Sequence, residues 1–343
     1  MKTLQLLLVL IALVVAAAAQ GPPVAGVQQF AKIGNLKLQN GEVIRDCRIG
    51  YRTFGHLNDD KSNVVLFPTW FGGRTHDLVA LIGPGKLVDS SKYFVVAIDA
   101  LGDGVSSSPS NSQSQPHMKF PQFAIRDMVE SEHELATRVL HLTHVHAVMG
   151  ISMGGMQTFQ WAVAYPNFMD KAIPIVGSPR LAAYDLLLWQ TMIDAIMKNP
   201  LWKEGNYTEQ PVPREVEHIG ELALSTPEHY NQEMTREKFF DSLKRPSENH
   251  FDANDRIRQA QAMMSLDVSA PFGGSMERAA AVKAPMLIVV DAHDHMVTPG
   301  PALEFAKLKS AETLVLQSDC GHLGPGCEQA KVAAALAEFL GKQ

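Results

Sequence analysis

The sequence lacks several features that mark disulfide-rich, membrane-embedded and nucleic-acid-binding proteins. Only 3 of its 343 residues are cysteine, which excludes a mini-protein held together by disulfides. A mean hydropathy of −0.04 excludes a protein with many membrane spans. The formal net charge of −6 leaves no overall positive field for nucleic acid. With 46% hydrophobic and 19% charged residues, the chain is neither disordered, collagen-like nor coiled-coil, and its length predicts about two domains.

One hydrophobic run, at the N-terminus, departs from this average. Lys2 precedes residues 6–19, which have no polar side chain, whereas a membrane-spanning helix needs about 20 such residues. A positive start, a short apolar run and the small residues Ala17 and Ala19 are typical of a secretory signal peptide. We therefore predict that residues 1–19 are cleaved after Ala19, and that the mature protein is secreted or periplasmic without stable membrane insertion. An uncleaved apolar anchor helix is the alternative.

The state of the cysteines depends on export, because an exported protein is exposed to an oxidising environment in which disulfides form. Cys320 and Cys327 lie close together in the sequence on either side of His322. A short-loop disulfide and two free thiols are both compatible with this spacing, since spacing alone does not establish the required geometry. Cys47 is predicted to be a small buried apolar residue.

Short apolar runs alternate with helical patterns over residues 20–180. This alternation predicts a mostly parallel sheet with helices on both faces. The predicted strands are 36–38 and 43–49, joined by a turn at Asn40-Gly41, then 63–67, 93–98, 145–149 and 171–176, and the predicted helices are 123–142 and 155–165.

The pattern changes over residues 181–275, where no buried strand is visible. Helical stretches are predicted there at 181–198, 215–224, 235–243 and 254–265, and alternation resumes with strands 286–290 and 313–316 and a last helix at 328–340. The sequence therefore predicts one α/β core, residues 20–180 and 276–343, with a helical lid inserted at 181–275.

A candidate nucleophile lies between strand 145–149 and helix 155–165. Residues 150–154 read Gly-Ile-Ser-Met-Gly, a G-x-S-x-G pattern in the strand–turn–helix context that gives it meaning. The sharp turn raises Ser152 above the sheet edge at a helix N-terminus, where developing negative charge is favoured. The alternative is a structural turn with a helix-capping serine.

A serine nucleophile needs a base and an acid that orients the base. In this kind of fold they follow later strands in the order acid, then histidine. Asp291 and Asp294 both follow strand 286–290. We favour Asp294, which lies farther into the loop, and retain Asp291 as the alternative. His322, in the loop before the last helix, is the predicted base.

Residues 291–295, Asp-Ala-His-Asp-His, also resemble a set of metal ligands. Adjacent side chains point in different directions, and neither H-E-x-x-H nor a paired Cys/His spacing is present. We therefore predict no metal and no cofactor.

The oxyanion formed during acyl transfer needs two backbone N–H donors. We predict that one is the N–H of Met153, the residue after the nucleophile, and the other that of Trp70, in the loop after strand 63–67. The alternative for Trp70 is a plain core aromatic; both roles are compatible, since only its backbone is needed.

Several stretches resemble the homoserine O-acetyltransferase-like branch of the α/β-hydrolase superfamily. They are Tyr51-Arg52-Thr53-Phe54-Gly55, Phe123-Ala124-Ile125-Arg126-Asp127-Met128-Val129, and Gly150-Ile151-Ser152-Met153-Gly154-Gly155-Met156-Gln157 with Trp161-Ala162 and Tyr165-Pro166. The resemblance covers nearly all of the mature chain, and the stretch around Ser152 is its most specific part. It implies an α/β-hydrolase fold, triad roles for Ser152, Asp294 and His322, and a homodimer formed through lid helices.

The sequence departs from the acetyltransferase pattern where the acyl acceptor is chosen. The oxyanion loop reads Pro-Thr-Trp-Phe-Gly at 68–72 where the family has His-Ala-Leu-Thr-Gly, and Leu323 replaces an aspartate after the histidine. Residues 224–230 contain no arginine to pair with the homoserine carboxylate. Export would also separate the enzyme from acetyl-CoA. We therefore predict hydrolysis of a small-molecule ester; acyl transfer from acetyl-CoA to homoserine or another alcohol is the alternative, and a non-catalytic binding protein is a third.

The predicted lid carries large apolar side chains that line an acyl pocket or form the lid's own core, the second being more usual at helical spacing. These residues are Trp189, Met192, Met197, Trp202, Phe239, Phe240, Met263 and Met264.

Overall fold

The computed structural model describes residues 25–245 and 251–342. Its eight strands form one sheet in the order β1-β2-β4-β3-β5-β6-β7-β8. β1–β2 and β2–β4 pair antiparallel, and all other pairs are parallel. The strands are β1 Gln29–Lys37, β2 Val43–Phe54, β3 Val64–Pro68, β4 Phe94–Ile98, β5 Val145–Ile151, β6 Met169–Ile175, β7 Leu287–Asp291 and β8 Glu312–Leu316. The predicted α/β class is confirmed.

The strands that position the site are buried because both sheet faces are covered. Every residue of β3, β4 and β7 is buried, as expected for parallel strands between two helical layers. One hydrophobic cluster on one face includes Met156, Phe159 and Trp161 of the helix that follows β5. A second cluster on the other face includes Leu336 and Phe339 of the C-terminal helix.

Helices connect the strands and cover the sheet. They are α1 Thr75–Leu78, α2 Ile125–Glu134, α3 Met153–Ala164, α4 Ala183–Met197, α5 Arg214–Leu224, α6 Pro227–Glu233, α7 Arg236–Ser242, α8 Ala253–Met264, α9 Met276–Ala280, α10 Gly300–Lys309, α11 Gly324–Cys327 and α12 Gln329–Gly341. The helix expected over 123–142 is shorter than predicted, because α2 passes into a π-helical turn at Leu135–Val139.

The sequence patterns missed the short helices α1, α9 and α11. They also missed α6 and α10. Both of these have a proline in the first turn, Pro227 and Pro301. A proline breaks a helix in its interior, but at the start of a helix the N–H that proline lacks has no partner in any case. The Thr226 side chain also caps α6 by accepting a hydrogen bond from the N–H of His229 at 3.2 Å.

Helices α4 to α9 lie between β6 and β7, where the sequence predicts the insertion. Two side chains of α8 attach this segment to the core. Arg258 donates to the carbonyl oxygens of Met118 and Phe120. Gln259 donates to the carbonyl oxygen of Leu101 at 3.0 Å and accepts from the N–H of Gly72 at 2.8 Å. The loop after β3 is therefore fixed partly by the helices between β6 and β7.

The predictions for the N-terminus fall outside the described residues. Cleavage after Ala19 and a secreted or periplasmic location stay predictions. Within the two described ranges, none of the helices is long and apolar enough to cross a membrane.

Candidate active site

Ser152 occupies a sharp turn between β5 and α3. Its backbone has φ 57° and ψ −119°, a conformation that few side-chain-bearing residues adopt. The turn is possible because glycines surround it: a Cβ on Gly150 would lie 2.2 Å from the carbonyl oxygen of Gly154, and one on Gly155 would lie 2.9 Å from that of Ile175. The G-x-S-x-G pattern therefore forms the strand–turn–helix structure that the sequence predicts.

The side chains of Ser152, His322 and Asp294 form one hydrogen-bonded chain. His322 Nε2 lies 2.9 Å from Ser152 Oγ, and His322 Nδ1 lies 2.7 Å from Asp294 Oδ2. All three residues are at least nine-tenths buried. The structure therefore brings together, from three separate loops, the residues that the sequence proposes as nucleophile, base and acid.

Asp294 and Asp291 have different surroundings. Asp294 Oδ1 accepts hydrogen bonds from the N–H groups of Met296 and Val297 at 2.8 and 2.9 Å, which leaves Oδ2 directed at His322. Asp291 instead accepts from the N–H groups of His293 and Ser318, and burial raises the pKa of its carboxyl above the usual range. The geometry supports Asp294 as the partner of the histidine and gives Asp291 the task of joining two loops.

The loop after β3 lies against the start of α3. A Cβ on Gly154 would lie 2.6 Å from the carbonyl oxygen of Pro68, so β3 ends very close to the turn. Gln157 Nε2 donates to the carbonyl oxygen of Thr69 at 3.0 Å and so fixes the loop to α3. Trp70 lines the same cavity as Ser152, and Met153 is the first residue of α3. The two residues expected to supply oxyanion donors thus lie on the two segments that meet at Ser152.

A cavity of about 700 Å³ opens above Ser152 and His322. Trp189 and Met192 of α4 line it together with Phe71 of the β3 loop and Met296. Of the other large apolar residues in the insertion, Trp202 and Met263 are buried in the core, while Met197 and Phe240 are exposed. Two of the eight candidate pocket residues therefore face the cavity.

Charged side chains also line this mostly apolar cavity. Glu217 and Glu221 come from α5, and Arg256 comes from α8. Burial lowers the pKa of the Arg256 guanidinium to about 10, against an opposing effect from the charge of Glu217. Arg256 therefore remains protonated at neutral pH, so the cavity carries both signs of charge.

A family model for the alpha/beta hydrolase fold matches residues 63–325 of this chain. The chain belongs to the α/β-hydrolase family. The resemblance seen in the sequence is thus confirmed, and the site lies where this α/β hydrolase would be expected to carry out its chemistry, beyond the carboxyl ends of the parallel strands.

Known relatives of this α/β hydrolase include both hydrolases and acyltransferases. A probable esterase of Corynebacterium glutamicum is 32% identical over 318 residues, 88% of this chain and 91% of that protein. An ethyl acetate hydrolase of Pseudomonas veronii is 31% identical over 313 residues, 86% of this chain and 89% of that protein. The crystal structure of homoserine O-acetyltransferase from Bacillus anthracis matches with a TM-score of 0.81 at 25% identity, covering 92% of this chain and 98% of that one. The chain is therefore an enzyme of ester hydrolysis or acyl transfer.

Cys320 and Cys327 form a disulfide in this α/β hydrolase, which settles the alternative that their spacing left open. The bridge closes the loop that contains His322. His229 of α6 packs against it, with Nδ1 3.4 Å from Cys320 Sγ. In the described ranges, His229 and these two cysteines are the one group of three potential metal ligands, and the sulfur atoms are already paired with each other. Cys47 is buried in β2, as predicted.

Removing this disulfide, in the variant with both cysteines replaced by serine, is expected to lower the free energy of unfolding by about 2 kcal/mol, the loop-closure entropy of so short a loop. Guanidinium denaturation without reductant measures the difference. Ester hydrolysis should also fall several-fold, because the loop positions His322. Wild-type protein in the presence of a phosphine reductant is the control and should behave like the variant. Equal stability of the variant and the oxidised wild type would contradict a structural role for the bridge.

Sequence reasoning missed three polar residues that shape the site of this α/β hydrolase. Gln157 and Gln259 hold the loop after β3, and Arg256 faces the cavity. Gln157 follows the G-x-S-x-G pattern within the same helix, so a search for polar residues one turn after the nucleophile could have found it. Gln259 and Arg256 come from α8, more than a hundred residues away, and carry no local signal.

Proposed function

We propose that this chain is a serine esterase that hydrolyses small-molecule esters through an acyl-enzyme on Ser152. The observation that carries this proposal is the chain of hydrogen bonds from Ser152 Oγ through His322 to Asp294, at 2.9 and 2.7 Å, at one end of a cavity. Similarity to a probable esterase and to an ethyl acetate hydrolase supports hydrolysis of a small ester.

In the first step, Ser152 Oγ attacks the ester carbonyl carbon while His322 Nε2 takes the hydroxyl proton. The carbon–oxygen bond to the alcohol then breaks, and the imidazolium returns its proton to the departing alcohol oxygen. Asp294 holds the Nδ1–H tautomer of His322 and stabilises the positive charge on the ring, so Nε2 is free to accept the proton.

In the second step, water attacks the acyl-enzyme. His322 takes a proton from the water, the bond between the acyl carbon and Ser152 Oγ breaks, and Oγ regains a proton. In both steps the N–H groups of Trp70 and Met153 donate to the carbonyl oxygen as it becomes negative. Gln157 and Gln259, which hold the Trp70 loop, keep one of these donors in place.

The helices between β6 and β7 serve as a lid in this proposal. α4, α5 and α8 contribute Trp189, Val216 and Arg256 to the cavity wall, opposite the sheet. Walls that exclude part of the bulk water strengthen the electrostatic interactions of the reacting groups. A homodimer through these helices stays a prediction.

Acyl transfer to homoserine is the second candidate, since the fold matches a homoserine O-acetyltransferase closely. Two features argue against it. Residues 224–230 contain no arginine to pair with a homoserine carboxylate, and Thr226 in this stretch donates its hydroxyl to the carbonyl oxygen of Asp319 at 2.6 Å. An N-terminal signal peptide would also place the protein away from acetyl-CoA. Water is therefore the proposed acceptor.

The test compares hydrolysis with transfer in one assay. Purified mature protein is given 4-nitrophenyl acetate and ethyl acetate in buffer, and separately acetyl-CoA with and without homoserine. We expect turnover of both esters without acetyl-CoA and no homoserine-dependent release of CoA. Release of CoA that requires homoserine, with no ester hydrolysis, would establish the transferase instead.

A further inference from the structure

Arg256 is the one arginine or lysine in the described wall of the cavity that contains Ser152, and its surroundings are unusual for a buried charge. It lies in the first turn of α8 and is only 7% exposed. Its guanidinium carbon lies 5.0 Å from the centre of the Phe251 ring and 5.7 Å from that of Phe71. The cation therefore packs against two aromatic rings.

Within residues 25–245 and 251–342, the side chain of Arg256 has no hydrogen-bond or salt-bridge partner, and its Nε is buried without an acceptor. Arg258, two residues later on the same helix, shows the usual arrangement: it donates to the carbonyl oxygens of Met118 and Phe120 and to the side chain of Gln261. A guanidinium has five N–H donors, and leaving them unsatisfied in the interior is costly. Arg256 therefore has donors available to a molecule in the cavity.

The other charges of the cavity limit what that molecule can be. Glu217 and Glu221 line the same wall from α5. A dianion such as a phosphate monoester would meet two acidic side chains and one cation. A single carboxylate matches the planar fork of arginine and brings only one negative charge.

We propose that Arg256 is a substrate-binding residue that recognises a carboxylate on the ester, so that the preferred substrates are anionic esters. This inference rests on the proposed esterase function and deepens it. The carboxylate can belong to the acyl part or to the alcohol part of the substrate, and in either place the planar fork of Arg256 would donate hydrogen bonds to both carboxylate oxygens.

Two pairs of esters, each differing mainly in the charge, test the inference. 4-Acetoxybenzoate and its methyl ester place the carboxylate on the alcohol side. Mono(4-nitrophenyl) glutarate and 4-nitrophenyl pentanoate place it on the acyl side. In wild-type protein we expect kcat/KM to be at least about tenfold higher for the anionic member of one pair, since a bidentate charged pair in a cavity readily supplies one factor of ten.

Arg256→Met keeps the apolar contact with Phe71 and Phe251 but removes the charge, and should abolish the preference. Arg256→Lys should retain part of it. Arg278→Met is the matched control, because Arg278 also lies over a phenylalanine ring, Phe272, but is exposed and outside the cavity wall. It should keep the preference. A second measurement does not depend on the folding of Arg256→Met: inhibition of wild-type hydrolysis by glutarate is compared with inhibition by glutaramide, and glutarate should inhibit more strongly.

A preference that disappears in Arg256→Met and persists in Arg278→Met supports the inference, and the pair that shows it identifies the side. Equal rates within both pairs, together with equal inhibition by glutarate and glutaramide, would overturn it, as would a preference that survives in Arg256→Met. Hydrolysis of the neutral esters without preference rejects only this inference. Should no ester be hydrolysed, the proposed function fails; a rise in wild-type melting temperature with glutarate but not glutaramide would then still support carboxylate binding, and its absence would reject it.

Discussion

Replacing Ser152 by alanine is expected to lower kcat for ester hydrolysis by roughly 10⁴- to 10⁶-fold, the range known for removal of a serine nucleophile. The Oγ that would form the acyl-enzyme is then missing, and water would have to attack the ester directly. Alanine retains the Cβ and adopts the same backbone angles, so the fold and the remaining contacts of the turn should persist. Hydrolysis of 4-nitrophenyl acetate measures the loss.

Covalent labelling by a fluorophosphonate probe tests the nucleophilicity of Ser152 without any ester substrate. Wild-type protein should gain one adduct, located at Ser152 by peptide mass spectrometry, and Ser152→Ala should gain none. Ser114→Ala, which changes an exposed serine of a distant loop, is the control and should react like wild type. A folded Ser152→Ala protein with hydrolysis within tenfold of wild type would refute the esterase mechanism.

Replacing Asp294 by asparagine is expected to lower kcat by roughly 10³- to 10⁴-fold, as in other triads that lose the carboxylate. The N–H groups of Met296 and Val297 both donate to Oδ1, so the amide oxygen of asparagine would stay there. The NH₂ group would then face Nδ1 of His322, which could accept from it only in the tautomer with the proton on Nε2. That tautomer cannot accept the proton of Ser152.

Asp291→Asn is the matched control for this prediction. Both oxygens of Asp291 accept hydrogen bonds from backbone N–H groups, those of His293 and Ser318, whereas Nδ1 of His322 bonds to Asp294. One acceptor would be lost, so unfolding free energy should fall by about 1–3 kcal/mol while kcat changes by less than tenfold. Initial rates and denaturant unfolding of the two variants are compared side by side. If kcat fell more in Asp291→Asn than in Asp294→Asn, Asp291 would be the acid of the triad instead.

The sequence was most informative where a local pattern requires one backbone geometry. Gly150 and Gly155 make the turn at Ser152 possible by allowing close approach of neighbouring backbone, and this requirement is visible in five or six consecutive residues. The buried strands could also be predicted, since each is a short uninterrupted apolar run. His322 was identified by its place between the last strand and the last helix.

The remaining features depend on contacts between distant segments. The sequence narrowed the acid to Asp294 or Asp291, but only the loop after β7 shows which carboxylate reaches the histidine. Gln259 meets Gly72 across 187 positions of the chain, and Arg256 faces a cavity whose other walls come from seven separate segments. Helical periodicity shows that α8 is amphipathic, but it does not distinguish a side chain bonded to the core from one that faces a substrate.

The attachment of α6 to the histidine loop has a kinetic consequence. Thr226 donates both its N–H and its hydroxyl to the carbonyl oxygen of Asp319, and His229 packs on Cys320 two residues before His322. The start of α6 and the base are therefore coupled mechanically. An ester too bulky for the cavity that displaced α6 would also separate His322 from Ser152. Bulky esters would then be discriminated against by a lower kcat, because the bound molecules turn over slowly, rather than by weaker binding.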